Sequence, residues 1–307
     1  MNNLLPVEME HPECLVCGSD SRHPFLTVDN RFDTSQKFNL IQCQQCGFVY
    51  LCPRPAEKWI AQYYQDSGYQ PHQKEAVSLS GKVYQLVRIW NNRYKRRLIE
   101  KYFKNGKILD YGCGTGEFLL EMKNSGWETF GLEPSPAAAA IARNYHLSII
   151  PDLKNLRGKV DVITLWHVLE HVHDARKLLA ELKNILNPAG LLCIALPNRH
   201  SLDAAFFKKH WVAYDAPRHL YHFSPMDMEK FLSSGGFKIF SMKSLLFDPW
   251  YNSFLSTSLE SGKNRIKLLS IGLIKSIFTA AAVNFLSFFN KKNDSSIIYL
   301  ARPEIDK

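Results

Sequence analysis

Short apolar runs alternate with segments of helical periodicity along most of the chain beyond residue 106. Runs of this length predict buried strands, whereas apolar residues spaced three and four apart predict helices that pack on a sheet. A series in which strands and helices alternate predicts an α/β fold with a mostly parallel sheet. The runs that predict strands are KILDY, WETFGL, LSII, VDVITLW, LLCIALP and SSIIYLAR.

Three glycines lie within five positions after the first of these strands, in the segment ILDYGCGTGEFL. Gly112, Gly114 and Gly116 permit a tight turn in which the backbone approaches a ligand, and helical spacing resumes at Phe118. A dinucleotide fingerprint would place the third glycine one residue later, and Glu117 would repel a pyrophosphate. The segment therefore indicates a nucleotide-type ligand without a pyrophosphate, the alternative being a plain strand-to-helix turn.

A carboxylate follows the second predicted strand. Glu133 comes about 20 residues after the glycines, where Rossmann-like sites bind the two ribose hydroxyls of a nucleotide. Ser135 and Pro136 then predict the start of an alanine-rich helix. Glu133 thus predicts a ribose contact, and the alternative is a solvated charge at the end of a strand.

The pattern D-x-G-x-G-x-G from Asp110 to Gly116 resembles motif I of the class I S-adenosylmethionine (SAM) dependent methyltransferases. The phrases VDVITLWHVLEHV and ALPN resemble later signatures of that superfamily, so the resemblance covers residues 106 to about 240. It implies a Rossmann-like, seven-stranded sheet with helices on both faces, and SAM as cofactor. In it, Asp152 would contact adenine, and 165–167 would form the floor beneath the methyl group. The cofactor-binding residues that it implies are Asp110, Gly112, Cys113, Gly114, Gly116, Glu133, Pro134, Asp152, Leu165, Trp166 and His167.

Two histidines and a glutamate follow the fourth predicted strand. His167, Glu170 and His171 form H-x-x-E-H, which is typical of inverted zinc-protease motifs but lies here in a methyltransferase-like series. The ubiquinone-pathway O-methyltransferases have a similar segment, E-x-x-E-H, and use a divalent ion. His167 replaces their first glutamate, so metal assistance is in doubt. His167 and His171 are candidate catalytic residues, the alternative being that Glu170 and His171 orient the next helix.

A second histidine cluster occurs in WVAYDAPRHLYHFSP, after the fifth predicted strand. The segment resembles the E-H-x-x-Y-F-S stretch of zinc-ribbon-bearing sugar C-methyltransferases, with His219 at the histidine and Arg218 in place of an acid. We expect His219 to be the general base, since its ordinary pKa suits proton transfer near neutral pH. The alternative is a histidine that bonds a neighbouring carbonyl. Arg218 predicts an anionic substrate, which it would bind by a bidentate contact.

Four of the seven cysteines form two C-x-x-C pairs, each followed by glycine. Such pairs can present four thiolates to one tetrahedral ion and predict a structural zinc site, because four thiolates leave no open coordination position. A redox pair would need only one C-x-x-C, and an iron–sulfur cluster usually has a different spacing. The predicted ligands are Cys14, Cys17, Cys43 and Cys46.

These signals divide the chain into three parts. We expect a zinc ribbon-like unit at 1–55, a connecting helical segment at 56–105 and the methyltransferase domain at 106–307. Within that domain we expect an amphipathic helical insert at about 262–292. Tyr63, Tyr64 and Tyr69 precede the catalytic part and could form a lid.

The apolar segment 268–289 is long enough to span a bilayer. It carries a polar stripe, however, formed by Lys275, Ser276, Thr279, Asn284 and Ser287. A spanning helix needs no such stripe, and a last strand follows at 295–302. We therefore expect the insert to pack on the core or to form a lid, and the alternative is a peripheral membrane contact through 266–290.

The formal net charge is +9, with 38 Lys and Arg against 29 Asp and Glu. The charge lies in clusters that predict solvated helix faces first, and attraction to an anionic substrate or surface second. No nucleic acid partner is expected, because no RNA-binding motif is visible. The first residues lack the pattern of a secretion signal, so we expect a cytoplasmic protein, and the alternative is a cytoplasmic protein that associates with a membrane.

The motifs together predict methyl transfer from SAM to a small-molecule acceptor. The expected acceptor is a nucleotide- or lipid-linked sugar or another envelope precursor. One alternative is a quinone-type O-methyltransferase. Others are a catalytically silent module that binds SAM and zinc, and a peripheral membrane scaffold.

Overall fold

The computed structural model of the protein describes residues 7–64, 79–262 and 272–304. The strands within these ranges are β1 (Met9–Glu10), β2 (Arg22–Asp29), β3 (Lys37–Cys43), β4 (Val49–Leu51), β5 (Arg54–Pro55), β6 (Lys107–Tyr111), β7 (Glu128–Leu132), β8 (Ser148–Ile150), β9 (Val160–Trp166), β10 (Leu186–Pro197), β11 (Tyr221–His222), β12 (Phe237–Ser244) and β13 (Ser296–Pro303).

A seven-stranded sheet lies at the centre, in the order β12-β13-β10-β9-β6-β7-β8. The five strands from β10 to β8 are parallel, and β13 runs antiparallel to both of its neighbours. Successive strand residues point to opposite faces, so Leu109 and Ile163 pack in one apolar cluster while Ile108 and Val162 pack in another. The predicted fold class, a mostly parallel seven-stranded Rossmann-like sheet, is confirmed.

Helices connect these strands and begin where short polar side chains cap them. Ser135 accepts a hydrogen bond from the Ala138 N–H at 3.4 Å, Asp174 accepts one from Lys177, and Ser224 forms a capping box with Asp227. The helices are α1 (Glu57–Ile60), α2 (Leu79–Ile99), α3 (Glu117–Lys123), α4 (Pro136–Asn144), α5 (Ala175–Ile185), α6 (Leu202–Phe207), α7 (Pro225–Ser234), α8 (Asp248–Ser261) and α9 (Leu273–Phe289).

The boundary between α5 and β10 lies earlier than the sequence pattern predicts. The apolar positions at helical spacing continue through Leu186, and Pro188 and Gly190 after it predict a helix stop, but the helix ends at Ile185. Leu186 is buried and pairs with Val160 as the first residue of β10. A residue that belongs to the apolar face of a helix can equally start a buried strand, and pairing with β9 decides the matter here.

The N-terminal unit shares its sheet and its core with the rest of the chain. Its antiparallel sheet has the order β11-β4-β3-β2, and β11 comes from far along the chain. Phe48 packs against Tyr221 and Phe223, with ring centroids 6.0 Å and 5.1 Å away. Arg54 donates to the Tyr221 hydroxyl at 2.8 Å. The segments on either side of residue 55 therefore share a sheet and side-chain contacts, and the division into domains at that residue stays a prediction.

The insert between β12 and β13 consists of α8 and α9, and 263–271 lies outside the described residues. Ser276 and Ser287 of the polar stripe are buried, whereas Phe278, Phe285 and Phe289 on the opposite side are exposed. The helix thus packs on the protein through its small and polar residues. No helix in the described parts of the chain is long and apolar enough to cross a membrane.

Candidate functional site

The glycine turn joins β6 to α3 and requires glycine at two positions for steric reasons. Gly112 and Gly116 have φ values of 74° and 80°, which side-chain-bearing residues rarely adopt. A Cβ on Gly112 would lie 2.6 Å from a methyl group of Val168, and one on Gly116 would lie 2.4 Å from a methyl group of Leu147. The bare backbone lets the turn pack closely on its surroundings.

Glu133 stands beside this turn. One carboxylate oxygen accepts a hydrogen bond from the Gly114 N–H at 2.8 Å, and the other accepts one from the Ser135 N–H at 2.8 Å. Each oxygen keeps a lone pair for a further donor. A carboxylate held in this way suits two adjacent hydroxyl groups, so the turn and Glu133 fit the ribose of SAM. Pro134 follows it and is exposed.

The other predicted cofactor residues lie at the same edge of the sheet or beneath it. Asp152 is exposed and caps a short helix at 153–155. Leu165 is fully buried in the core. Trp166 and His167, at the end of β9, are half-buried. The roles of these residues, and of Cys113 in the turn, stay predictions.

Asp110 is buried under the turn, where it accepts a hydrogen bond from the Thr164 hydroxyl at 2.6 Å. Burial raises its pKa to about 7. Lys95 of α2 contributes a positive charge nearby, and its Nζ lies 4.3 Å from the centre of the Trp166 ring. Burial lowers the pKa of Lys95 to about 8. No sequence signal distinguishes Lys95 from the other basic residues of its helix.

His167 lies between two carboxylates. Its Nε2 is 3.0 Å from an oxygen of Asp248, and its Nδ1 is 3.5 Å from an oxygen of Glu170. Burial by itself would lower the pKa of His167, but Asp248 and Glu170 raise it to about 10. The His167 ring is therefore a cation at neutral pH. It holds Asp248 and Glu170 in place, and it has no lone pair with which to accept a proton. Asp248, the first residue of α8, was not predicted as a site residue.

His171 and His219 face each other edge to face, with ring centroids 4.6 Å apart. His219 Nδ1 donates to the Ala213 carbonyl at 2.7 Å, and His171 Nδ1 donates to the Arg218 carbonyl at 2.9 Å. Burial and the nearby His219 lower the pKa of His171 to about 4. Because each Nδ1 carries the hydrogen, the Nε2 of a neutral ring here has a free lone pair.

The buried Glu170 completes this group, and ligand atoms of Glu170, His171 and His219 lie within 4.8 Å of one another. Burial would raise the pKa of Glu170, but the neighbouring His167, His171 and His219 lower it to about 2. Metal sites can have this composition. Neither oxygen of the Glu170 carboxylate has a hydrogen-bond partner among the described residues, so the group has the ligand atoms for a metal ion and the acceptors for proton transfer.

Arg218 does not face a substrate, and this expectation from the sequence was wrong. Its side chain is fully buried, and its guanidinium donates two hydrogen bonds to the Asp215 carboxylate, at 3.0 Å and 2.6 Å. A third donor binds the Tyr63 carbonyl at 3.1 Å. Arg218 therefore fixes the loop that carries His219, because a buried guanidinium requires a carboxylate partner within the fold.

Two tyrosines of the expected lid, Tyr63 and Tyr64, contact the candidate site: Tyr63 through its carbonyl with Arg218, and Tyr64 through its hydroxyl with His171. The Tyr64 hydroxyl lies 3.0 Å from His171 Nδ1, and the ring of Tyr63 packs edge to face on Phe38. Tyr69, the third residue of the expected lid, lies outside the described residues.

The four predicted zinc ligands converge at one end of the N-terminal sheet, with all four sulfur atoms within 4.8 Å of one another. Cys14 and Cys46 have their sulfurs 3.4 Å apart, and Cys17 and Cys43 have theirs 3.5 Å apart. Four sulfurs at about 2.3 Å from a tetrahedral zinc ion would be roughly 3.8 Å apart. The cluster thus fits a zinc ion with small adjustments.

A cavity of about 240 Å³ lies between α2 and the segment before α8. Its walls combine apolar and aromatic side chains with an amide and two guanidinium groups: Trp90, Tyr94, Leu246, Phe247, Asn91, Arg93 and Arg97. Asp248, which contacts His167, follows Phe247 in the chain, but neither Asp248 nor any member of the histidine group lines the cavity.

Comparison with known families identifies the class. The sequence profile described as "Methyltransferase domain" matches residues 86–241, which is half of the chain. The match includes the glycine turn, Glu133 and the histidine group. The chain belongs to this methyltransferase domain family, and the expectation of a class I SAM-dependent methyltransferase is confirmed.

Individual relatives are more distant. The ubiquinone biosynthesis O-methyltransferase of Azorhizobium caulinodans is 24% identical over 162 residues, which cover 48% of this chain and 64% of that protein. The protein of that description from Mesorhizobium japonicum is 26% identical, with 48% and 66% covered. The matched part of the chain thus spans less than two thirds of the length of these relatives.

Solved structures with a similar fold include two methyltransferases. One is a possible histamine N-methyltransferase of Thermotoga maritima, with 17% identity, a TM-score of 0.48 and coverage of 73% of this chain and 94% of that one. The other is magnesium protoporphyrin IX methyltransferase of Synechocystis PCC 6803, with 16% identity, a TM-score of 0.49 and coverage of 80% and 98%.

The contacts of Glu133 lead to a prediction about cofactor affinity. Replacing Glu133 by Ala is expected to weaken SAM binding by about 1.5 to 3 kcal/mol, the scale of hydrogen bonds to a charged group. Titration calorimetry with SAM measures the change. Glu128→Ala, which removes an exposed carboxylate from the same strand, should leave the affinity unchanged. Equal affinities for all three proteins would exclude the ribose contact.

The ion pairs of His167 predict a pH-dependent stability. The folded state keeps the His167 proton up to a pH of about 10, whereas the unfolded chain loses it near 6.5. The contribution is therefore complete below pH 6.5 and is lost as the pH rises towards 10. Urea denaturation at pH 7 and pH 9 should show a smaller loss of stability in His167→Gln than in the wild type. Equal losses of unfolding free energy in both proteins would contradict the assignment of a positive charge to His167.

Proposed function

We propose that the protein transfers a methyl group from SAM to an oxygen atom of an amphiphilic small molecule, such as a lipid-linked sugar or a quinol. The observation that carries this proposal is the close packing of His171 and His219 beside the buried Glu170, a group that can take a proton from a hydroxyl. Relatives that are named ubiquinone biosynthesis O-methyltransferases support an oxygen acceptor with an apolar body. Because Arg218 is buried against Asp215, a nucleotide-linked sugar has less support than a lipid-linked one.

Bound SAM supplies the methyl group as part of a sulfonium. The residues of this chain then have to align the acceptor oxygen and remove its proton. We assign proton removal to His219, whose Nε2 lone pair is left free by the hydrogen bond from Nδ1 to the Ala213 carbonyl. Glu170 stabilises the imidazolium that results, and His167 holds the Glu170 carboxylate in its ionised form.

A catalytically silent module that binds SAM and zinc is the competing function. The steric fit of the glycine turn and the two hydrogen bonds of Glu133 support cofactor binding under both readings. The free Nε2 atoms beside an ionised carboxylate favour catalysis, because a purely structural histidine would have its second nitrogen bonded within the fold.

The test is turnover of SAM to S-adenosylhomocysteine, screened over lipid-linked sugars, quinols and soluble nucleotide sugars. With an accepted substrate, His219→Asn is expected to lower kcat by roughly 10²- to 10⁴-fold while SAM affinity is retained. The exposed His23→Asn is the matched control and should keep the wild-type kcat. A wild-type kcat in His219→Asn would remove the base assignment, and SAM binding without turnover on any acceptor would favour the silent module.

We also propose that the four-cysteine cluster holds one structural zinc ion. Metal affinity contributes directly to folding in small zinc units, on the order of 10 kcal/mol. Because β4 of this unit pairs with β11, the ion would stabilise the segment that carries His219.

Elemental analysis of the purified protein is expected to find one zinc per chain. Cys14→Ser should lose the ion and unfold at lower temperature, because three thiolates hold zinc less tightly than four. Cys52→Ser, a change at a buried cysteine outside the cluster, should keep the zinc. A metal-free wild-type protein would exclude the site.

A further inference from the structure

The outward face of α9 is entirely apolar. Phe278 and Phe288 are 70% and 79% exposed, and no polar or charged side chain interrupts the exposed positions of this helix. Contiguous apolar surface of this kind is rare on monomeric proteins and marks an interaction site. The exposed residues of α9 are Leu273, Ile274, Ile277, Phe278, Ala281, Ala282, Phe285, Leu286, Phe288 and Phe289.

The inward faces of α8 and α9 consist of small and polar residues. In α9 these are Ser276, Ala280, Val283 and Ser287, and in α8 they are Asn252, Ser253, Ser256 and Thr257. Helix α8 likewise exposes Trp250, Tyr251 and Phe254. A helix on a protein in water places its large apolar residues inward. Small residues at the contact with large apolar residues outside are typical of helices that pack against each other in lipid.

Specific bonds hold the two helices in this orientation. Asn284 donates to the Leu246 carbonyl at 3.3 Å, Asn252 donates to the Ser295 hydroxyl at 2.7 Å, and the Ser256 hydroxyl accepts from the Val212 N–H at 2.9 Å. Lys275 of α9 also forms an ion pair with Glu260 of α8. Turning the aromatic residues inward would break these bonds, so their exposure is built into the fold.

Exposed lysines lie next to this apolar surface. Lys291 and Lys292 follow α9 after Asn290, and Lys208 and Lys209 directly follow α6. Phe206 at the end of α6 is exposed and lies 4.8 Å from the Lys275 ammonium group, which places α6 against α9. Among the described residues these four lysines have no ion-pair partner. The apolar surface is therefore bordered by positive charge on a chain whose net charge is +9.

We propose that the aromatic face, by which we mean the exposed aromatic and aliphatic side chains of α8 and α9, docks on an anionic lipid bilayer. The aromatic and aliphatic side chains enter the interface, and the bordering lysines reach the lipid headgroups. A second copy of the chain is the alternative occupant, and the experiment distinguishes it from a bilayer. The proposal does not depend on methyl transfer, since it concerns binding alone.

The test is co-sedimentation of the full chain with vesicles of phosphatidylcholine, with and without about 30 mol% phosphatidylglycerol, an anionic content that attracts basic segments. The wild type should bind the anionic vesicles, and the bound fraction should fall as salt is added. Phe285→Ser combined with Phe289→Ser should lower the partition coefficient about 10-fold or more, because two large apolar side chains leave the interface. Ile141→Ser, on α4 beside the far edge of the sheet, is the matched control and should bind like the wild type.

A second pair of variants tests the charge. Lys291→Gln with Lys292→Gln should weaken binding to the anionic vesicles by roughly 10-fold or more, at about 1 kcal/mol for each lysine near the surface. Lys177→Gln with Lys230→Gln makes the same change in net charge on α5 and α7 and should have a much smaller effect.

Two results would overturn the proposal. One is a wild type that stays in the supernatant with both kinds of vesicle. The other is a concentration-dependent dimer in analytical ultracentrifugation that the Phe285 and Phe289 variants abolish, which would assign the face to a second copy. Circular dichroism and SAM affinity of each variant identify any loss of folding, and turnover is not needed for either outcome.

Discussion

The His167 cation between Glu170 and Asp248 is the constraint on which the candidate site depends. It joins the end of β9 to the segment that carries Glu170 and His171, and it joins both to the first residue of α8. Two buried carboxylates would repel each other without it. His167 adopts a φ of 56°, an uncommon value for a residue with a side chain, and this turn places the ring between its partners. The position of the insert and the charge of the site are thus coupled.

The cysteine unit supports the same site from the opposite side. The Leu51 N–H donates to the Leu220 carbonyl at 2.9 Å, and the Leu220 N–H donates to the Glu170 carbonyl at 2.7 Å. These two bonds connect β4 to the residue beside His219 and then to Glu170. A unit that the sequence sets apart is therefore part of the framework of the site, because its sheet is incomplete without β11.

Local signals were sufficient where a conformation or a bond depends on neighbours in the sequence. The glycines were predictable because a positive φ and close packing exclude other residues, and the cysteine pairs because two C-x-x-C turns present four thiolates. Arg218 was misread, since the sequence does not reveal that Asp215 lies within reach of its guanidinium. Lys95 and Asp248 were missed for a similar reason. Each acts on residues far away in the chain, and only the folded sheet brings them together.

The sequence by itself determined the alternation of strands and helices from β6 to β10, the glycine turn, Glu133 at the end of its strand, and the grouping of the four cysteines. Short-range sterics and periodicity govern all of these. The tertiary structure alone decided that His167 is a bridging cation, that Arg218 is internal, and that α9 turns its phenylalanines outward. An amphipathic pattern in the sequence indicates only that a helix has two different faces. Which of them meets the protein depends on the size and hydrogen bonds of the surface it packs against.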